Sequence, residues 1–465
     1  MEKTLSTKEL YGWTLKLALP IMIQNLINTL VNTADTFMLG FVGQSAMAAV
    51  SLANQYTFVL FCVFFGMATA TSVLCAQYWG KGDSTTIERL VGLALRYGII
   101  VSLVFTAGSF LFPRTIMQLF SATPETIEVG AQYLKVVSLS FVFMAISQVY
   151  LSALRSIGKV VFPSVVVIVS LCVNVFFNAS FIFGLFGLPK LGVVGVALGT
   201  VLARVTEVIL CVCFSVKSGV KISIKAIFAK AGVLNRDFLS ISWPSIGNDL
   251  IWSLATTVFT VILGHLGDDI VAANAVAMMV VNIGAIAMRG FANATTIVIG
   301  QTLGANQIEQ TKKYSVKLLL LTIYVALAGC VVIVALRPFI LGFYAGKLSP
   351  QAITYLGAMM FMTTYRMLGE GINTCLICGC FRGGGDTKFG FITDTIMMWC
   401  VAVPVMVAAA YVLKLPAIWV YFTMTLDEFE KMPVVFAHFF KFKWMKNITR
   451  SEGELKNAQA RQTEK

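Results

Sequence analysis

Apolar runs long enough to cross a bilayer recur along the whole chain. Each needs about 20 residues as a helix. Twelve such stretches run over roughly 14–40, 48–79, 90–112, 130–152, 161–186, 192–216, 238–264, 270–300, 314–336, 352–379, 389–412 and 416–440. Polar residues inside them are few and are placed with helical period. In the first stretch Gln24, Asn25, Asn28, Asn32, Asp35 and Thr36 fall within a sector of about 120° at 100° per residue. Such a stripe faces a wet cavity or other helices, not lipid. The pattern predicts an all-α polytopic membrane protein of about twelve transmembrane helices.

Composition agrees. Of 465 residues, 58% are hydrophobic and 12% charged, about half of the roughly 25% charge of soluble domains. The mean hydropathy of +0.83 leaves more apolar surface than a soluble fold can hide. The formal charge of +13 would raise nucleic-acid binding in a soluble protein. Here much of it lies in 217–237 and in the tail from Lys441, beside apolar stretches. Such bases fix topology and meet anionic lipid heads, so lipids and no nucleic acid are expected as partners. Connections after even-numbered stretches hold Lys81, Arg89, Arg155, Lys159, Lys312, Lys313, Arg382 and Lys388, while those after odd-numbered stretches are sparser, with Arg114, Lys190, Arg337, Lys347 and Lys414. Both termini are therefore expected in the cytoplasm. The ten cysteines lie in or beside apolar stretches and give no disulfide framework.

A repeat divides the chain. A shift of 224 carries Pro20 to Pro244, Gly40 to Gly264, Gly43 to Gly267, Ala48 and Ala49 to Ala272 and Ala273, Gln77 to Gln301 and Gly80 to Gly304. A shift of 227 carries Arg155 and Gly158 to Arg382 and Gly385. Six spans per repeat is an even number, so both halves enter from the same side as parallel repeats. The expected organisation is a six-helix lobe over 1–216, a basic cytoplasmic linker over 217–237, a second lobe over 238–440 and a basic cytoplasmic tail over 441–465.

Ionisable groups within membrane spans are functional candidates. Asn174 and Asn178 share a helix face, and Thr200 lies in the next span. With Asp35 they could form an oxygen-lined site for Na⁺, or Asp35 could carry a proton. Arg204 and Glu207 read as a structural ion pair. In the second half Asp249 shares a face with Ser253 and Thr256, Arg366 and Glu370 are spaced to pair, and Asp394 stands in the eleventh span. Asp427, Glu428, Glu430 and Lys431 cluster in the twelfth, and Arg289 in the eighth is left unexplained unless it neutralises an acid. Cys375, Cys378 and Cys380 read as packing, and His265 and His438 as interfacial. Motifs of the forms H-E-x-x-H, G-x-S-x-G and G-x-x-x-x-G-K-[ST] are missing from the sequence. An enzyme is thus not expected, and transport would be driven by an ion gradient with no other cofactor.

Several segments resemble the MATE (multidrug and toxic compound extrusion) family. These are Pro20 with Ala34-Asp35-Thr36-Phe37-Met38-Leu39-Gly40 and Ala48-Ala49-Val50, and Gln77-Tyr78-Trp79-Gly80-Lys81-Gly82-Asp83. Phe381-Arg382-Gly383-Gly384-Gly385-Asp386-Thr387-Lys388 is similar to the family's R-G-x-G-D-T segment. Asn174 and Asn178 with Phe181-Ile182-Phe183-Gly184, then Gly192-Val193, Gly195 and Ala197, match the fifth and sixth helices. The resemblance spans roughly 10–445. It implies two six-helix lobes in a V, working by alternating access as a secondary antiporter in the plasma membrane. Such a protein exports organic cations or amphipathic compounds, as multidrug efflux, in exchange for Na⁺ or H⁺. Asp35, Asn174, Asn178 and Thr200 match its ion-coupling positions. Gln24, Asn28, Asn32, Asp249, Ser253 and Glu370 are assigned to the substrate cavity. Some members carry an acid where Asn178 stands, which leaves Na⁺ versus H⁺ open. A lipid-linked oligosaccharide flippase of the same superfamily is the alternative, with a channel and an intramembrane enzyme as more distant rivals. The chain is expected to act as a monomer.

Overall fold

The computed structural model describes residues 5–216, 220–229, 232–451 and 453–454, with the side chains of 32–34, 36 and 224 outside the description. Among the described residues the regular structure is helix alone. The first half holds α1 (Thr7–Gly40), α2 (Gln44–Lys81), α3 (Ser84–Leu111), α4 (Pro113–Gln118), α5 (Pro124–Val137), α6 (Ser140–Ser156), α7 (Val161–Phe183), α8 (Gly192–Ser215) and α9 (Ile224–Phe228). The second half holds α10 (Val233–Gly264), α11 (Asp268–Gly304), α12 (Ile308–Tyr344), α13 (Pro350–Asn373), α14 (Thr387–Ile396), α15 (Val403–Val407), α16 (Ala417–Thr425), α17 (Asp427–Glu430) and α18 (Met432–Lys441). π-helical turns at Thr374–Phe381, Met397–Ala402 and Ala408–Val412 continue α13, α14 and α15.

Among the described residues nine helical stretches are long and apolar enough to cross a membrane, and α5 with α6, bent by 50°, makes a tenth. The other two expected spans are helical but differ in character. The α13 helix carries Arg366 and Glu370 through its apolar run, and 416–440 is broken into α16, α17 and α18 around the charged Asp427–Lys431 segment.

The repeat extends to local geometry. The α1 helix ends at Gly40 and α10 at Gly264. The N-caps of the next helices, Gly43 and Gly267, have φ of 142° and 122°. At the end of α2 Gly82 turns left-handed, and its counterpart after α11 is Asn306, φ 59°, the other residue type that tolerates this conformation. Both ends close alike: Asp83 N donates to Tyr78 O at 3.0 Å, and Gln307 N to Thr302 O at 3.0 Å. Gly158 and Gly385 repeat the device with φ of 86° and 78°.

By contact the chain forms two compact units. The N-unit comprises Ile23–Ile246 and Thr449–Lys465, and the C-unit Met1–Met22 and Gly247–Ile448. These bounds differ from the sequence halves of 1–216 and 238–440. The described residues up to Met22 join the later half, and the described parts of 217–237 join the earlier one. Both crossing points follow a repeat proline, Pro20 in α1 and Pro244 in α10, by two residues.

In the N-unit α2 packs on α3, α5 and α6, and α7 packs closely on α8. The described parts of 217–237 dock here: Tyr150 Oη donates to Val220 O at 3.1 Å, Arg96 Nη1 to Ala229 O at 3.2 Å and Tyr97 Oη to Asn235 Oδ1 at 2.5 Å. The tail returns to this unit as well. Arg450 donates twice to Asp237, at 2.9 and 2.8 Å. That paired bond holds the guanidinium above its ordinary pKa. In the C-unit α11, α12 and α13 pack on one another around a core that includes Met288, Met359, Met360, Met367, Met398, Met406 and Met424. The R-G-x-G-D-T segment turns at Gly385, and its Asp386 accepts from Lys446 Nζ at 2.9 Å and meets His438 Nε2 at 3.0 Å. His438 is thus a partner of Asp386 and of the stacked Phe389 ring, beyond the interfacial role expected.

Large apolar side chains cover the outside of the long helices, among them Ile100, Leu103 and Val104 on α3 and Val331, Val332 and Val334 on α12. Some hydroxyls pair across helices, as Ser152 Oγ does with Ala68 O at 2.6 Å and Ser170 Oγ with Ala203 O at 3.1 Å. That is the usual fate of polar groups in an apolar medium.

Candidate functional site

The carboxylate of Asp35, late in α1, meets the α7 amides. Asn178 Nδ2 donates to Asp35 Oδ1 at 3.0 Å and to Asn174 Oδ1 at 3.2 Å. Asn174 Nδ2 donates to Thr200 Oγ1 on α8 at 3.4 Å. The four residues read from the sequence as one ion-coupling set therefore form one hydrogen-bonded chain. Helical period puts Asn174 and Asn178 on one face, and the packing of α7 on α8 brings in Thr200.

Two features give this chain chemical range. Turned end for end, the Asn174 amide donates to Asp35 at 3.1 Å (Oδ2) and 3.3 Å (Oδ1). In that orientation the amide hydrogens face the Asp35 carboxylate. In addition, Asn178 Oδ1 is enclosed and accepts no hydrogen bond. Buried oxygens usually have a partner. An unpartnered oxygen beside a carboxylate, an amide and a hydroxyl is a donor set suited to a hard cation or to a proton.

Close helix approach builds the site. Gly195 and Gly199 stand four apart on α8. A Cβ at Gly195 would lie 2.4 Å from Phe181 Cβ, and one at Gly199 would lie 2.1 Å from Asn178 Oδ1. The role of Gly199 was not read from the sequence, although its position one residue before Thr200 was a signal.

Of the remaining stripe, Gln24 and Asn28 are half-buried, and Gln24 Oε1 is enclosed without a partner. The side chains of Asn32 and Thr36 lie outside the described residues. Deeper in α8 the Arg204–Glu207 ion pair forms at 2.6 Å, with Ser147 Oγ donating to Glu207 at 2.7 Å. This is the structural pair expected.

The C-unit holds a larger polar network. Asp394 accepts from Asn248 Nδ2 at 2.7 Å, and Asn248 Oδ1 accepts from Arg382 at 3.1 Å. Arg382 lies 3.5 Å from Asp249. Lys431 reaches Glu428 at 3.2 Å and Asp394 at 3.5 Å. Asn373 donates to Glu428 Oε2 at 2.8 Å. Asp249 thus joins Arg382, while hydroxyls near it turn inward to their own helix, as Thr256 does to Ser253 O at 2.8 Å. Ser253 is half-buried. The Arg366–Glu370 pairing foreseen from their spacing does not form. Asp427 and Glu370 both lie within electrostatic range of the Arg366 guanidinium, Asp427 more strongly. Arg289 is exposed, within electrostatic range of Asp249 and Glu370. Asn248, Asn373 and Arg382 were missed as network members, although Arg382 already stood out as the repeat partner of Arg155.

Known proteins are similar to this chain. The model of the MatE family matches the chain twice, over 20–180 and 244–408. The two matches start 224 residues apart, the shift of the internal repeat. An uncharacterized transporter, YisQ, of Bacillus subtilis is 26% identical, covering 83% of this chain and 84% of its own length. A probable multidrug resistance protein, NorM, of Thermotoga maritima is 24% identical over 95% of each chain. Among solved structures, a multidrug resistance MATE family transporter in an outward-facing conformation superposes with a TM-score of 0.84 at 20% identity. That match covers 95% of this chain and 97% of the other. Likeness at that level establishes a shared fold.

Proposed function

This chain belongs to the MatE family, and from that premise we propose that it is a secondary antiporter that exports organic cations or amphipathic compounds in exchange for H⁺ or Na⁺. The observation that carries the reading is the Asp35–Asn178–Asn174–Thr200 chain, an acid linked through two amides to a hydroxyl within an apolar lobe. The relatives named as multidrug resistance proteins support the substrate class.

In this reading Asp35 couples the two fluxes. When ionised it draws hydrogens from Asn178 and from the turned Asn174 amide. When neutralised by a proton or by Na⁺ it faces Asn174 Oδ1 instead. The rearranged bonds change the grip on a cationic substrate, and that differential affinity shifts the conformational equilibrium. Gln24, Asn28, Asn32, Asp249, Ser253 and Glu370 serve the substrate cavity. The chain works as a multi-pass monomer of the plasma membrane with both termini in the cytoplasm. It needs no cofactor beyond the coupling ion and catalyses no covalent step.

The test is efflux of a fluorescent organic cation from energised vesicles, with H⁺ and Na⁺ gradients imposed separately. Gradient-driven efflux by wild type, lost in a folded Asp35→Asn variant, is expected, and the effective gradient names the ion. Wild-type efflux retained in full by the variant would overturn the role of Asp35. A wild type inert toward a broad cation panel would overturn the substrate class and favour lipid-linked oligosaccharide flipping.

A further inference from the structure

An open cavity of about 390 Å³ lies on the N-unit where α3 gives way to α4, against one face of α5. Its volume falls in the range of roughly 300–1,000 Å³ usual for small-molecule sites. Phe110 and Leu111 form an apolar wall, Arg114 comes from α4, and Glu128, Gln132 and Lys135 come from α5. The α5 residues recur at intervals of four and three, so they share a helix face. Packing fixes the opposite wall. Pro113 and Met117 of α4 are buried four residues apart, and a Cβ at Gly130 of α5 would lie 2.2 Å from Met117 Cε. The α4 helix is thereby seated on α5 while Arg114 stays exposed.

The charges of this cavity do not balance. Arg114 Nη2 and Glu128 Oε2 pair at 2.8 Å, a bond that uses one of the guanidinium's five N–H donors. Lys135 is exposed, and its ammonium makes no hydrogen bond or ion pair among the described residues. Two cations against one acid leave one positive charge. Lys135 also stands about 10 Å along α5 from Glu128, at 1.5 Å per residue, on a span that continues into α6. The cavity wall it shares is apolar and open, with Phe110 47% and Leu111 70% exposed. A lysine without a counter-ion on a lipid-facing span is costly. Its Cβ tilts toward the helix N-terminus, which directs the side chain back toward the Arg114 end. Snorkelling to water would satisfy the ammonium alone. It would not account for a second cation and an apolar wall in the same cavity.

We propose that this cavity seats the headgroup of an anionic phospholipid with a single phosphodiester charge, drawn from the leaflet that meets this end of α3. Lys135 and the remaining donors of Arg114 bind the phosphate oxygens, Gln132 adds an amide donor, and an acyl chain lies along Phe110 and Leu111. One phosphodiester cancels the one excess positive charge. A zwitterionic lipid would bring a further ammonium, and Glu128 is already paired with Arg114. The site shares no residue with the Asp35 chain and stands whichever ion drives transport.

Native mass spectrometry of the full chain in detergent, titrated with phosphatidylglycerol and phosphatidylethanolamine, tests this directly. The wild type should hold its first phosphatidylglycerol in preference to phosphatidylethanolamine. Lys135→Gln and Arg114→Gln should each weaken that first binding by about fivefold. Glu128→Gln should strengthen it, because the competing carboxylate is gone. A gain in one variant and a loss in the others separates a charge effect from damage to the fold. Lys225→Gln, an exposed change in the basic 217–237 segment, should leave the first binding unchanged. Equal retention of the two lipids overturns the proposal, as does unchanged affinity in Lys135→Gln. A loss in Lys225→Gln alone would place the lipid on that segment instead. Displacement of the lipid by inorganic phosphate at equal concentration would mark a free-phosphate site and also overturn it. None of these readouts depends on efflux, so failure here is distinct from failure of the antiport reading.

Discussion

The backbone of Gly199 approaches Asn178 so closely that a Cβ there would stand 2.1 Å from Asn178 Oδ1. The amide that holds Asp35 is itself seated against a glycine of the neighbouring helix. Replacing Gly199 by Ala must move that amide or part α7 from α8. A loss of about 1–3 kcal/mol is expected from such overpacking, read as a lower thermal midpoint. Ion-dependent efflux should fall with it. Gly195→Ala meets Phe181 Cβ at 2.4 Å and should lower stability without altering which gradient drives efflux.

Asn178→Asp would set a second carboxyl about where the amide now donates to Asp35 at 3.0 Å. Like charges this close favour uptake of a proton or a cation. Affinity for the coupling ion should rise by about tenfold, roughly 1.4 kcal/mol. Efflux measured against H⁺ and Na⁺ concentration separately checks it. An unchanged ion dependence in a folded variant would remove Asn178 from the coupling site.

Lys431 is 4% exposed and serves both Asp394 and Glu428. In Lys431→Met both acids keep only amide donors, Asn248 and Asn373. Breaking one side of a buried ion network costs about 3–5 kcal/mol. The variant should lose stability in thermal unfolding, and adding Asp394→Asn should recover part of the loss. A Lys431→Met protein as stable as wild type would show that these acids are already neutral.

Arg204→Leu tests the opposite kind of site. Glu207, 2% exposed, would keep only Ser147 as a partner. The half-exposed arginine is partly screened, so the expected loss is about 1–3 kcal/mol from the uncompensated acid. Stability should fall while the coupling ion and its concentration dependence stay the same. A changed ion dependence would make this pair part of the transport machinery.

Local order made much of this protein legible. Apolar runs of span length announce helices because an isolated backbone cannot remain unpaired in lipid. The internal repeat carried matching N-caps at Gly43 and Gly267, since a positive φ restricts residue type wherever it occurs. The Asp35 site was readable for the same reason: a spacing of four places Asn174 and Asn178 on one face, whatever packs there.

Where several partners compete, spacing does not choose. Arg366 and Glu370 have the right interval for a pair, yet Asp427, 61 residues beyond Arg366, is the stronger electrostatic partner of the guanidinium. Asn248 finds Asp394 across 146 residues, and Lys431 finds it across 37. Gly199 matters because of the atom facing it on another helix. The sequence by itself determined the helices, the two-fold repeat and the local alignment of the first-half polar residues, all of which follow from backbone geometry within a few turns. Only the tertiary structure decided which buried charges meet and which are left over. Coulomb energy in an apolar medium depends on distance in space, and that distance is set by helix packing.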